Sequence, residues 1–428
     1  MGLSVVATTV MVAALAISYA GKAVCLDGEL GFWADTRYCY SDVNVLWSHR
    51  GFDVDALPYD GVPQAYGGDR DYTFEYPPGL AFGAHGIALA TSTRAGFFNL
   101  TALTLAAAAL LTLRIGRRAW ERDLSTGERP AWASHPLRVL GVAASPSLLL
   151  FAFHNWDLWA TLPAVAGMAL AARGRWRPAA VAFAVGAAFK WWPALLVVTL
   201  LAGPWAPDGD RRLTEPGALM ARARPALLAA ATWAALQVPA LLVSPGGWWA
   251  AHRFHLERDA NWDSATKGLE LFGNWLAPST FWDTGFRTLT SWGGLAVLLL
   301  LLGYVVWRLD EGTLAPHDAA LVVVAGFLVT GRVFSPQFLV WVVPIAWLAR
   351  ISWLPILTLE FVNAIVWLFT GPFLGGMGWG FLYAAQVMAV ARSGVLVWII
   401  VTLTLRREGG RPAVPGVGPV RQPASALG

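Results

Sequence analysis

The chain has 428 residues, 56% of them hydrophobic and only 14% charged, with a mean hydropathy of +0.52. A soluble protein is about a quarter charged, so the composition excludes an ordinary water-soluble domain. Apolar runs of about 18 residues or more recur along the length and read as membrane-spanning helices. The net charge of +4 does not point to nucleic acid, because the basic residues stand at the ends of apolar runs, where they set orientation.

The first apolar segment, 3–21, lacks a basic leader and a small-x-small cleavage site, and reads as a retained helix rather than a signal peptide. Further spans are predicted over 95–113, 138–153, 158–172, 178–189, 191–204, 225–243, 290–307, 317–331, 337–349, 352–370 and 381–405. Together they make one all-α integral membrane domain, residues 1–405, a polytopic bundle of about twelve spans. The stretches 178–189 and 191–204 are short for a full crossing. They read as a tilted pair, or as one broken helix bent at Trp192-Pro193. Pro77 to Ala90 is also apolar and is expected as a helix lying at the outer surface. Residues 406–428 are rich in Pro and Gly and read as a disordered cytoplasmic tail.

Basic clusters fall at Arg114 to Arg138, Arg173 to Arg177, Arg211 to Arg224 and Arg406 to Arg421. The positive-inside rule places all of them in the cytoplasm, which leaves two long outer loops, 22–94 and 244–289. Long ordered loops usually carry function. The polar part of the first, 22–78, holds ten acids against four bases (Lys22, Arg37, Arg50 and Arg70). The second holds His252, His255, Asp259, Asp263 and five tryptophans. Cys25 and Cys39 are the only two cysteines and both fall in the first outer loop. An oxidising compartment permits a disulfide there, the alternative being two free thiols.

An ordered set of motifs runs along the chain. Asp42-x-x-Val45 is followed by Pro58-Tyr59-Asp60, then Glu75-Tyr76-Pro77-Pro78-Gly79, then Lys190-Trp191-Trp192-Pro193. Last comes Arg332-Val333-Phe334-Ser335-Pro336-Gln337. From Asp42 to about Arg406 this resembles the polyprenol-phosphate-sugar-dependent membrane glycosyltransferases of the GT-C superfamily. It is most similar to glycosyltransferase family 87, the actinobacterial α-mannosyltransferase-like proteins. The resemblance implies an inverting sugar transfer from a polyprenyl-phosphate donor; the substrate does not carry over with it, and a hexose, mannose rather than arabinose, moving to a lipid or glycan acceptor is the expectation. It implies an active site outside the plasma membrane, no nucleotide sugar and no cofactor.

The chemistry of the residues agrees. Inverting transfer needs a carboxylate to take the acceptor hydroxyl's proton and positive groups for the departing phosphate. Asp42 is the candidate base and matches the family's first-loop acid; the plainer reading is a solvated loop acid. Basic residues out of place in apolar sequence mark phosphate recognition, and Lys190, Arg332 and Arg392 qualify. Their structural alternatives are snorkelling for Lys190 and Arg332, and a pair with Glu360 for Arg392. Glu75, Tyr76, Asp60, His154, Asp157 and Gln337 are candidate substrate contacts. Against these stand a turn for Asp60, a salt bridge for Glu75, and helix capping by Asn155 or Asp157 in the polar turn His154-Asn155-Trp156-Asp157. Trp191 and Trp192 are candidates to stack on sugar or prenyl. His252 and His255 have the spacing of a metal pair on a helix, yet no cysteine stands near them and a lipid-phosphate donor does not call for a metal, so none is expected. No Walker or Rossmann fingerprint stands in a strand-to-helix context. The competing class is a secondary transporter or lipid flippase, which suits the broken helix and the intramembrane charges.

Overall fold

The computed structural model describes residues 2–26, 32–69, 74–125, 135, 137–209, 211–282 and 284–406. The C-terminal tail expected from 406 onward therefore lies, after Arg406, outside the described residues. Among the described residues there is helix and no strand. This follows from the composition: in hydrocarbon every backbone N–H and C=O must be satisfied internally, and a helix does so within one segment.

The chain opens with α1 (Gly2–Ala23), then the short α2 (Phe32–Thr36), α3 (Asp42–His49) and α4 (Pro78–Leu89) of the first loop, and the long α5 (Arg94–Ser125). Next come α6 (Arg138–Ala143), α7 (Pro146–Phe151), α8 (Asp157–Ala171) and α9 (Trp176–Phe189). A 3-10 helix, Trp192–Leu200, then leads to α10 (Ala218–Val243), and α11 (Pro245–Glu257) and α12 (Ala265–Leu276) form the second loop. The chain ends with α13 (Gly285–Asp310), α14 (Pro316–Thr330), α15 (Leu339–Leu348), α16 (Trp353–Leu374) and α17 (Trp379–Leu405).

Six helical stretches are long and apolar enough to cross a membrane: Gly2–Ala23, Arg94–Asp123, Ala218–Val243, Thr280–Asp310, Trp353–Leu374 and Trp379–Leu405. The chain is thus a helical membrane protein by length and composition. The other expected spans appear as shorter apolar helices, Arg138–Phe151, Asp157–Ala171, Trp176–Phe189, Pro316–Thr330 and Pro336–Leu348. α15 is buried along its whole length and α14 nearly so, so both lie at the centre. α10 and α13 are peripheral: only 17% and 11% of their most apolar windows are buried.

The helix breaks have local causes. Pro146 lacks an N–H, so the run from 138 stops at Ala144 and restarts with Ser145 as N-cap, its hydroxyl accepting from the Leu148 N–H at 3.3 Å. α9 ends at Lys190, which is extended (φ −149°, ψ 138°). The nine-residue 3-10 stretch that follows is long for that geometry, which often marks strain or a hinge. The break expected at Trp192-Pro193 is therefore real and starts at Lys190. Pro77 to Ala90 differs from expectation. α4 is a helix, but it packs against α5, α9 and α10 with Leu80, Ala81, Ala84 and Ala88 fully buried, so it is part of the body.

Candidate functional site

Asp42 is the first residue of α3, behind the extended N-cap Ser41. The Ser41 hydroxyl donates to the Phe153 carbonyl at 2.7 Å, and the Asp42 N–H donates to the His154 carbonyl at 2.7 Å. These bonds stitch the first loop onto the turn between α7 and α8. Both carboxylate oxygens are gripped. The Tyr40 hydroxyl donates to Oδ1 at 2.8 Å, and the Asn155 amide donates to Oδ2. Asn155 is itself fixed, its Oδ1 accepting from the Trp156 N–H at 2.6 Å. Asp42 keeps part of its surface open. Burial pushes its carboxyl above the ordinary aspartate range, against the opposing pull of Tyr40, Lys190 and Asn155.

Beside it, Lys190 pairs with Asp157 at 2.8 Å. The Trp341 indole N–H donates to the same Asp157 oxygen at 2.8 Å. The other oxygen, Oδ2, is buried with no partner among the described residues. Three rings surround the Lys190 ammonium, Tyr76, Phe338 and Trp341, at 6.0, 5.6 and 5.9 Å. Asp157 therefore serves an ion pair and does not cap α8. Trp192 is buried and stacked on Trp341, whereas Trp191 is partly exposed and stacks on His252.

Behind Asp42 lies His154, buried among Tyr40, Phe151 and Trp367. Burial holds its imidazole well below the ordinary range, and the charges of Lys22 and Lys190 add to this. Lys22, counted in the first loop from sequence, is instead in the last turn of α1 and buried. Its ammonium donates to the carbonyls of Tyr38 and Tyr40 at 3.0 and 2.8 Å and lies 3.4 Å from His154 Nδ1.

Glu75 is held by Arg50 through two bonds of 2.6 Å, one to each oxygen. Its carbonyl accepts from His255 Nε2 at 2.7 Å. The adjacent Tyr76 ring packs on Trp156 at 5.6 Å. His252 Nδ1 donates to the Trp248 carbonyl at 2.9 Å. Both histidines thus use a ring nitrogen on main chain. Among the described residues, no group of three or more His, Cys, Asp or Glu side chains could hold a metal ion. Cys25 and Cys39 are joined in a disulfide, with Cα atoms 5.9 Å apart.

The remaining candidates lie on other elements. Asp60 is exposed on a turn and lines a small, shallow depression with Tyr59, Phe74 and Gly247. Gln337 is buried in the 3-10 turn Pro336–Phe338, one residue from the Phe338 ring that flanks Lys190. Arg332 is partly exposed at the same end of the bundle. It donates to the Leu256 carbonyl at 3.0 Å and feels Arg258, Asp259 and Arg287.

Arg392 requires correction. It is fully buried, and its guanidinium donates to Asn363 Oδ1 at 2.7 Å, the Asp263 carbonyl at 2.6 Å and the Phe334 carbonyl at 2.5 Å. With those donors occupied it ties helices and loops together and presents no face to a lipid phosphate. Glu360, its expected alternative partner, instead accepts from Ser145 Oγ, the Ser147 N–H and Ser147 Oγ at 2.6, 2.8 and 2.9 Å. No protein-family model matches this chain, and no curated protein matches it.

Sequence reasoning named Asp42, His154, Asp157 and Lys190 as candidates, placed Asn155 only in the polar turn as a helix cap, and gave no role to Lys22, Tyr40, Arg50 or Trp341. Lys22 carried a usable signal, a lysine closing an apolar run as Lys190 does. Chemically, the cluster offers a partly open carboxylate of raised pKa, held in one orientation beside an ammonium and aromatic rings. Such a group accepts a proton from a hydroxyl.

Proposed function

We propose that the chain is a membrane glycosyltransferase of the GT-C type, in a bundle of about twelve spans. It moves a sugar, expected to be mannose, from a polyprenyl-phosphate donor to a lipid or glycan acceptor. The reaction lies outside the plasma membrane, with both chain ends inside. The observation that carries this reading is Asp42. Its two oxygens are fixed by Tyr40 and Asn155 while the carboxylate stays partly open, next to the Lys190–Asp157 pair.

In this mechanism the acceptor oxygen attacks the anomeric carbon as its proton passes to Asp42. The bond from that carbon to the phosphate oxygen breaks on the opposite face, and the anionic lipid phosphate leaves toward Lys190, with Arg332 in reserve at the same end. Trp191, exposed beside Lys190, offers a surface for the sugar ring.

The test is purified protein with polyprenyl-phosphate sugars, measuring donor consumption and glycosylated product. Transfer by the wild type and its loss in Asp42→Asn supports the reading. The second reading, a transporter or flippase, is favoured by the helix break at Lys190 with its buried ion pair. Substrate flux across reconstituted vesicles without donor consumption would replace the first reading with the second.

A further inference from the structure

The second loop enters the bundle more deeply than a surface connector does. The Asp263 carbonyl bonds Arg392, and Gly268 lies so close to α17 that a Cβ there would stand 2.6 Å from Gln386 Oε1. α17 begins at Trp379 at the end where Asp42 lies. Gln386 is then about 10 Å and Arg392 about 20 Å along the helix from its start, at 1.5 Å per residue. α17 is itself a candidate span, with Tyr383 and Val387 exposed about 6 and 12 Å along it, on either side of the Gln386 level. The segment 258–264 therefore descends to the level of membrane-spanning residues, and α12 rises from there to the start of α13.

α12 is strongly two-sided. Leu269, Phe272, Trp275 and Leu276 are 51%, 58%, 74% and 67% exposed. Their spacing places them on one arc of the helix. Lys267, Glu270 and Asn274 occupy the other flank, where Lys267 and Glu270 pair with each other. Gly268 and Gly273 are buried, the second under the Trp282 ring. The apolar arc continues into the exposed Leu289, Trp292 and Leu295 of α13, another candidate span.

We propose that residues 258–276 are a re-entrant segment whose helix α12 lays Leu269, Phe272, Trp275 and Leu276 into the hydrocarbon of the leaflet at the Asp42 end. Lipid is the occupant because the face is continuous with lipid-length helices and lies at their depth. No charge stands on it. The proposal does not depend on the catalytic reading.

The two cysteines are bonded to each other and no free cysteine is present among the described residues. Single nitroxide labels can therefore be placed at Leu269→Cys, Phe272→Cys, Trp275→Cys and Asn274→Cys in protein reconstituted in phosphatidylcholine–phosphatidylglycerol vesicles. Relaxation by oxygen, which partitions into lipid, is compared with relaxation by a water-soluble nickel chelate. High oxygen and minimal nickel effect at 269, 272 and 275, with the reverse at 274, is the expected result. Nickel access at 272 and 275 would overturn the proposal, as would shielding from both agents, which means a second copy or another protein covers the face. Leu269→Cys is a mild exposed change, so it keeps the test available if Trp275→Cys fails to fold.

Discussion

Asp42→Asn separates basicity from shape. The two side chains are nearly isosteric, so the amide oxygen can keep the Asn155 bond, and the Tyr40 hydroxyl can turn to accept from the amide nitrogen. Two charge-assisted hydrogen bonds become neutral ones, falling from about 1.5–3 to about 0.5–1.5 kcal/mol each. Relief from burying a charge offsets part of that loss. The variant should therefore fold, with a stability change of no more than about 2 kcal/mol. Turnover should fall by about 10²–10⁴-fold, the usual contribution of a general base, or about 2.7–5.4 kcal/mol of barrier. Donor binding should change little, so the loss appears in kcat rather than KM. The assay is transfer from a labelled polyprenyl-phosphate sugar in detergent, with direct donor titration onto the same preparation. Wild-type turnover by Asp42→Asn would end the base assignment. It would not simply pass to Glu75, which Arg50 already occupies through both oxygens.

Three further expectations are open to direct measurement. Asp42 works only when ionised, and burial raises its pKa, so kcat/KM should rise with pH through that raised value. An acid limb at the ordinary aspartate value of about 4 would count against it. Lys190→Met leaves Asp157, whose side chain is only 1% exposed, with the Trp341 indole alone. Breaking such a pair costs about 3–5 kcal/mol, and adding Asp157→Asn should recover most of it; an unchanged melting temperature for Lys190→Met would refute the pair's role. Cys25→Ser removes a crosslink between residues 14 apart and should cost about 3 kcal/mol by loop entropy, read as a lower melting temperature matched by the reduced wild type.

The apolar helices were legible because hydrocarbon leaves the backbone little choice, and the break near Pro193 because a proline cannot continue a helix. The break at Pro146 was missed, because the apolar run 138–153 reads as one span. The polar turn after α7 was legible as a candidate, since four polar or aromatic residues in a row stand out between apolar runs, with helix capping as their other reading. Less legible were the partners. Nothing in Asp42's own neighbourhood says that Asn155, more than a hundred residues on, holds its second oxygen. Tyr40 was within reach, two residues away, but a tyrosine in a loop carries no signal until its hydroxyl has a target. Pro77 to Ala90 was misplaced because hydropathy reports that a face is apolar and not what covers it. α4 is covered by α5, α9 and α10.

Arg392 was misread for a physical reason that also clarifies the site. A broken helix inside a membrane frees backbone groups that no water can satisfy, and a buried charge of the right sign is one remedy. Glu360 accepts from the Ser147 N–H at the start of α7. Arg138 donates to the carbonyls of Ala346, Ala349 and Ile351 where α15 ends. Arg308 donates to the carbonyls of Thr404 and Arg406 where α17 ends. Arg392 serves Phe334 and Asp263 in the same way, and Lys22 serves Tyr38 and Tyr40. Carboxylates at helix starts and cations at helix ends also match the helix dipole. An intramembrane charge is therefore ambiguous until its partners are known. Asp42, Asp157 and Lys190 fall outside this pattern. The carboxylates of the first two and the ammonium of the third meet side chains rather than freed backbone, and one oxygen of Asp157 has no partner among the described residues. These three charges bond one another or neighbouring side chains, and they are gathered where the first loop meets the break in α9.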